Sequence, residues 1–289
     1  MEASKTTEGR IALANGAMIP KIGFGTFDLE NGKQAEDAVK AAIEIGYRLI
    51  DCARFYGNEK SVGNALADVD VPREELSITS KVWNDRQLDG TVRESVEESL
   101  RDLQVDYLDL LLIHWPVEGH FLDTWKMFIE MRDEGLVRSI GVSNHTIPQL
   151  ELLIEQTGEA PSVNQIELHP YLQNAEMLAF CSRNGIAVEA WSPLGRGGCL
   201  DDPVIASIAQ QHDAFPAQII LAWHMIKGVI PLPRSKNPGR MRENFESQSI
   251  RLSDAEVEEI DALNADAPVI AGIDPQGFAE HLNGLSSHF

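Results

Sequence analysis

Short apolar runs alternate along this chain with stretches whose apolar residues recur every third or fourth position. The runs at 47–52 (YRLIDC), 76–82 (LSITSKV), 107–114 (YLDLLLIH), 136–144 (LVRSIGVSN), 162–167 (SVNQIE), 186–192 (IAVEAWS) and 228–235 (GVIPLPRS) have the length and content of buried strands. Between them, 34–46 (QAEDAVKAAIEIG) and 91–104 (TVRESVEESLRDLQ) carry the period of amphipathic helices. With 18–25 (MIPKIGFG) as the first strand, the pattern gives eight βα units. Eight such units predict an α/β fold, a closed (β/α)8 TIM barrel with a C-terminal tail and loops over its C-terminal face; an open doubly wound sheet is the competitor. No linker, low-complexity tract or composition break divides the sequence, so residues 1–289 read as a single barrel domain.

Composition narrows the function classes. With 43% hydrophobic and 24% charged residues the chain has the make-up of a globular protein. It has no apolar run of membrane-spanning length, and its first ten residues lack the apolar stretch of a secretory signal, so a cytoplasmic location without membrane attachment is expected. The net charge of −21 speaks against nucleic acid and anionic membranes as partners, and any anionic ligand needs a local basic patch. Among 24 cationic residues, 9 are lysine and 15 arginine; so acidic a surface suits high salt, and equally an ordinary acidic protein. Cys52, Cys181 and Cys199 are far apart and read as reduced thiols. His120, His145, His169 and His224 lack ligand spacing, so no metal is expected.

Polar residues punctuate the strand ends. Asp51, Lys81, His114, Ser143 with Asn144, Gln165, Trp191 and Arg234 each fall at or near the C-terminal end of a different strand, and in a barrel those ends converge on the face where active sites form. Asp51, Tyr56, Lys81 and His114 suggest acid chemistry at a carbonyl. A free phenol titrates near pH 10, so acting near neutrality calls for a nearby cation; Lys81 can supply it, and Asp51 can hold that lysine charged when buried. His114 can orient a carbonyl oxygen beside the tyrosine. A purely structural Asp–Lys pair with Tyr56 in a packing role is the plainer alternative.

At these residues the chain resembles the aldo-keto reductase family. The resemblance is carried by GYRLIDCARFYGNEKSVG (46–63), ITSKVW (78–83), LLLIHWP (110–116), IGVSNH (140–145), NQIELHP (164–170), WSPLG (191–195) and IPLPRSKNPGRMRENF (230–245), and extends from about residue 11 to about 265. It is closest to the bacterial branch that includes 2,5-diketo-D-gluconate reductases. It implies NADPH-dependent reduction of an aldehyde or ketone by direct hydride transfer, with Tyr56 as general acid, Lys81 lowering its pKa, Asp51 supporting the lysine and His114 positioning the carbonyl.

The same resemblance implies the cofactor contacts. No GxGxxG follows a strand, which speaks against a Rossmann-type site. Instead Ser143, Asn144 and Gln165 would bond the nicotinamide carboxamide, Trp191 would stack on its ring, and Ser192 and Leu194 would lie along the pyrophosphate. The basic stretch RSKNPGR (234–240) contains Asn237 and Pro238 as a helix cap and first residue, a favourable setting for a phosphate. The resemblance assigns Arg234, Ser235 and Arg240 to the 2′-phosphate and Glu243 and Asn244 toward the adenine, hence NADPH (NADP+) over NADH. Arg234 stands where many family members carry lysine. Phe27, Phe55, Trp83 and Trp115 are expected to wall the substrate pocket, suiting a small flat or apolar carbonyl. The loop within 115–125 is shorter than many relatives place over the pocket, which implies an open site, and the tail 268–289 matches no pattern that names a substrate. A small carbonyl compound is the expected partner, and a monomer the expected state. A silent nicotinamide sensor or interaction subunit, and a Schiff-base aldolase using Lys81, are the alternatives.

Overall fold

A computed structural model describes residues 9–269 of the chain. Among the described residues ten strands are formed: β1 Arg10–Ala12, β2 Met18–Pro20, β3 Phe24–Gly25, β4 Leu49–Asp51, β5 Ser77–Val82, β6 Leu108–Ile113, β7 Val137–Ser143, β8 Val163–Glu167, β9 Ala187–Trp191 and β10 Val229–Pro231. Strands β3 to β10 pair in sequence order and in parallel. The Gly23 N–H donates to the Pro231 carbonyl and the Gly25 N–H to the Pro233 carbonyl, both at 3.0 Å, which joins the last strand back to the first. The barrel is therefore closed, and the open-sheet alternative is set aside.

The helices are α1 Lys33–Ile45, α2 Glu59–Ala67, α3 Asn84–Leu88, α4 Val92–Leu103, α5 Phe121–Asp133, α6 Ile147–Thr157, α7 Ala175–Arg183, α8 Pro203–Gln211, α9 Pro216–Ile226, α10 Pro238–Glu246 and α11 Asp254–Asp261. In α1 the buried residues Ala35, Ala38, Val39, Ala42 and Ile43 form one stripe, as the sequence period requires. Gly46 ends that helix with φ 126°. A Cβ there would lie 2.9 Å from the Phe245 ring, so both the backbone angle and the close approach call for glycine.

Two buried apolar clusters follow from the period of two in the strands. Outward residues such as Ile50, Ile78, Leu111 and Val142 pack with Val39, Ile43 and their counterparts on the helices. Leu49, Leu110, Leu112, Val163, Ile230 and Leu232 pack together with Leu13 and Ile19 of the N-terminal segment. That second cluster corrects one expectation. Residues 18–25 are not one strand: Met18–Pro20 pairs antiparallel with Arg10–Ala12 as a hairpin whose Ile19 joins the inner cluster, and only Phe24–Gly25 enters the barrel. Of the expected tail, residues 270–289 lie outside the described part. Among the described residues no helix is long and apolar enough to cross a membrane.

Candidate active site

The inward positions above the inner apolar cluster are polar. Asp51 ends β4, Lys81 lies in β5, Ser143 ends β7, Gln165 lies in β8 and Trp191 ends β9, while His114 and Asn144 directly follow β6 and β7. Arg234 lies three residues past β10. The chain thus brings the sequence-predicted groups to one mouth of the barrel.

Lys81 is the centre of the site. Only 1% of it is exposed, and its Nζ donates to Asp51 Oδ1 at 2.7 Å, to the Cys52 carbonyl at 2.8 Å and to Tyr56 Oη at 3.1 Å. All three ammonium hydrogens are used, which is what a buried lysine needs to stay charged. Burial works against its charge, but Asp51 and Tyr56 overrule it and hold the ammonium above its ordinary pKa. Asp51 is itself 4% exposed.

Tyr56 lies on a short 3-10 turn, Arg54–Tyr56, directly after β4, so the strand that places Asp51 also delivers the phenol. Burial pushes the Tyr56 hydroxyl up to about 12, while Lys81 pulls it down. The lysine therefore does lower the phenol, as expected, but burial outweighs it and the hydroxyl stays protonated through neutral pH. Burial, then the charge of Lys81, hold His114 well below its ordinary range, so its imidazole is neutral. The His114 ring meets the Tyr56 ring edge-on at 5.7 Å, and its Nδ1 has no hydrogen-bond partner among the described residues.

An aromatic wall surrounds this group. Phe55 stacks on Trp83 with ring centroids 3.7 Å apart, Trp83 lies edge-on to His114 at 4.7 Å, and Phe27 lies edge-on to Tyr56 at 5.1 Å. Phe27 is 40% exposed, which leaves the wall open at its outer rim. Trp115 lines a cavity of about 270 Å³ with Asn144, His145, Glu167, Met177 and Trp191.

The proposed nicotinamide contacts form one linked cluster. Asn144, held at φ 61°, donates to the His114 carbonyl at 3.1 Å and to Ser143 Oγ at 3.0 Å, and its Oδ1 accepts from Trp191 Nε1 at 2.8 Å. Ser143 Oγ donates to the Gln165 carbonyl at 2.8 Å. Gln165 reaches into the acid centre, its Nε2 donating to Asp51 Oδ1 at 3.0 Å. Ser192 and Leu194 lie on a loop with positive φ at Ser192, Gly195, Arg196 and Gly197. His224 on α9 pins that loop by a 3.1 Å contact with the Pro193 carbonyl, a role the sequence alone did not show.

The basic loop has the predicted cap. Asn237 Oδ1 accepts from the Arg240 N–H at 3.2 Å and Pro238 opens α10, leaving Arg234, Lys236 and Arg240 exposed around the helix start. Arg234 Nη2 donates to Asp28 Oδ2 at 2.8 Å, tying this loop to the loop that carries Phe27. Ser235 bonds Asn237 within the turn, Glu243 is half-buried on α10 and Asn244 is buried beside it. The donor set, three side chains around Trp191 and a capped helix start with three cations, fits the two ends of a nicotinamide dinucleotide phosphate.

Several residues of the site were not legible beforehand. Thr26 binds the Asp51 carbonyl through both its N–H and its hydroxyl, and Asn58 Nδ2 bonds the Thr26 and Leu29 carbonyls. Glu59 is buried under the loop, bonded to Ser80, Ser99 and Arg54. Glu189, in the middle of β9, is 0% exposed and accepts from Gln165 Nε2 at 2.7 Å. The one sequence signal for it is an acid inside the otherwise apolar run IAVEAW.

The Aldo/keto reductase family model matches residues 21–265. A methylglyoxal reductase DkgA of Yersinia pestis is 43% identical over 277 residues, covering 94% of this chain and 98% of its own. A glyoxal reductase of Bacillus subtilis (strain 168) is 44% identical over 259 residues, covering 90% and 94%. Among solved structures, an aldo/keto reductase from Brucella melitensis has a TM-score of 0.85 at 42% identity, covering 88% of this chain and 99% of its own. A Gox0644 mutant in complex with NADPH has a TM-score of 0.84 at 38% identity, covering 91% and 94%.

Proposed function

The chain belongs to the aldo/keto reductase family, and from that premise we propose that it reduces small, flat dicarbonyls of the methylglyoxal and glyoxal type. It is an NADPH-dependent reductase that converts a carbonyl to an alcohol. The observation that carries the reading is the buried Lys81 ammonium held between Asp51 Oδ1 at 2.7 Å and Tyr56 Oη at 3.1 Å.

The roles follow from the protonation states. Tyr56 keeps its proton through neutral pH and gives it to the carbonyl oxygen as negative charge develops there. Lys81 stabilises the phenolate left behind, Asp51 keeps Lys81 charged and in place, and water returns the proton to Tyr56. His114, neutral, orients the carbonyl without competing as an acid. Ser143, Asn144 and Gln165 would hold the nicotinamide carboxamide, Trp191 would stack on the ring, and Ser192 and Leu194 would lie along the pyrophosphate. Arg234, Ser235 and Arg240 would bind the 2′-phosphate, with Glu243 and Asn244 toward the adenine. The nicotinamide supplies the hydride. Phe27, Phe55 and Trp83 gather aromatic surface around Tyr56 and His114, and Trp115 lines the neighbouring cavity, which supports a small carbonyl substrate.

The test is the loss of NADPH absorbance with a panel of methylglyoxal, glyoxal, simple aldehydes, ketoses and keto acids. Fastest oxidation with the two dicarbonyls is the expected result. Oxidation with ketoses or keto acids ahead of both would overturn the substrate class, and NADPH binding without any carbonyl-dependent oxidation would overturn the catalytic reading.

A further inference from the structure

Glu189 is a buried acid that the reduction as described does not use. It sits on β9 opposite Gln165 on β8, and across the barrel from Asp51. Its Oε2 accepts from Gln165 Nε2 at 2.7 Å, while its Oε1 has no hydrogen-bond partner among the described residues. The same Gln165 Nε2 donates to Asp51 Oδ1 at 3.0 Å. A primary amide has two N–H bonds and one oxygen of nearly equal size, so its sense is set by its partners. Here two acids stand on one side of it.

We propose that Glu189 is a positioning residue that fixes the sense of the Gln165 amide. With both N–H bonds committed to Asp51 and Glu189, Gln165 can offer only its carbonyl oxygen to a ligand. Resting on the reading of Gln165 as a nicotinamide contact, this makes the site select a ligand that presents an N–H donor there, as a carboxamide does and a methyl ketone does not. Turned over, the amide would set its oxygen against Asp51 Oδ1 and Glu189 Oε2 together, so Glu189 adds a second repulsive contact to the one that Asp51 imposes. Burying an unpaired acid oxygen is costly, which is hard to account for if Glu189 served packing alone. The neighbouring strand on the other side brings no competing partner at this level, since the register partner on β10 is Ile230.

The test compares binding of NADPH with that of its 3-acetylpyridine analogue, read by quenching of tryptophan fluorescence. The parent is expected to prefer the carboxamide by roughly three- to tenfold, the worth of one hydrogen bond. At pH 8, where Glu189 is ionised and can only accept, Glu189→Gln replaces an oxygen that repels a turned amide with a group that can also donate to it, and should lower the preference toward one. Glu189→Met, which can do neither, should do the same and serves if the first variant does not fold. A preference unchanged in both variants overturns the proposal. Gln165→Leu separates the two layers: loss of preference there with none at Glu189 sinks the role of Glu189 alone, and no loss at either position sinks the reading of Gln165 as a cofactor contact. Because the readout is binding, it stands whether or not any carbonyl is turned over.

Discussion

Replacing Glu189 with glutamine should make the protein more stable, and increasingly so as pH rises. Burial first, and the charge of Asp51 second, push the Glu189 carboxyl up to about 7 from an ordinary 4.5, against the hydrogen bond from Gln165 and the pull of Lys81. The folded state then holds a proton that the unfolded chain has released between those two values. Stability is therefore fullest below the unfolded value and is lost as pH rises through the window up to about 7, at up to about 1.4 kcal/mol per pH unit. From pH 5 to pH 8 the parent loses about 2.5 kcal/mol through this group. Glutamine has no proton to lose. The stability difference, variant minus parent, should thus grow by about 2.5 kcal/mol over that range. At about 2.1 cal/mol/K per residue the unfolding entropy of 289 residues is about 0.6 kcal/mol/K, so the difference in melting temperature should widen by about 4 °C. Melts of both proteins at pH 5, 6.5 and 8 measure it. Parallel curves would refute the reasoning, since they would mean that Glu189 is already ionised at pH 5 in the folded protein.

Tyr56→Phe should lower turnover about 10²- to 10⁴-fold while NADPH affinity stays within a few-fold, checked by steady-state kinetics and fluorescence titration. Lys81→Met should destabilise the fold by about 3–5 kcal/mol, because Asp51 keeps its burial and loses its cation; a cost below about 1 kcal/mol in denaturant titration would contradict the ion pair. Alanine at Arg234 and Arg240 should weaken NADPH far more than NADH, and equal losses would remove the phosphate role. Asp28→Asn frees Arg234 from a partner that competes with the phosphate. It should tighten NADPH up to about fivefold, the scale of an exposed pair, leave NADH unchanged and steepen the fall of NADPH affinity with added salt, because the site becomes more positive.

The barrel was legible because a buried parallel strand and an amphipathic helix leave different periods in the sequence, and both survive in α1, α4 and the strands around Lys81 and Gln165. The error at 18–25 has a physical source. Ile19 and Phe24 are both buried apolar residues, one in the inner cluster and one in the outer, and a run of apolar letters does not say which. Only the antiparallel partner Arg10–Ala12, itself just three residues long, separates the two. The site divides in the same way. Residues at strand ends stood out because a polar group there breaks an apolar run at a place where the fold must turn. Glu189, Glu59 and Asn58 did not, because their meaning lies in partners 20 or more residues away: Gln165, Ser80 and Thr26.

Seen through its protonation states, the site is set by burial acting differently on each group. Burial keeps the proton on Tyr56, strips it from His114 and works to strip it from Lys81, yet Lys81 alone resists, because Asp51, the Cys52 carbonyl and Tyr56 accept all three of its hydrogens. The result is one charged donor behind one neutral acid beside one neutral imidazole. That combination keeps the proton on the tyrosine through neutral pH, the state that a donor to a carbonyl oxygen needs. Lys81 supplies the compensation that keeps the donor from being inert, since its pull falls on the phenolate and not on the phenol. A tyrosine equally buried without that lysine would hold its proton too tightly to release it as the alkoxide forms. A lysine without Asp51 would lose the charge that makes the release possible.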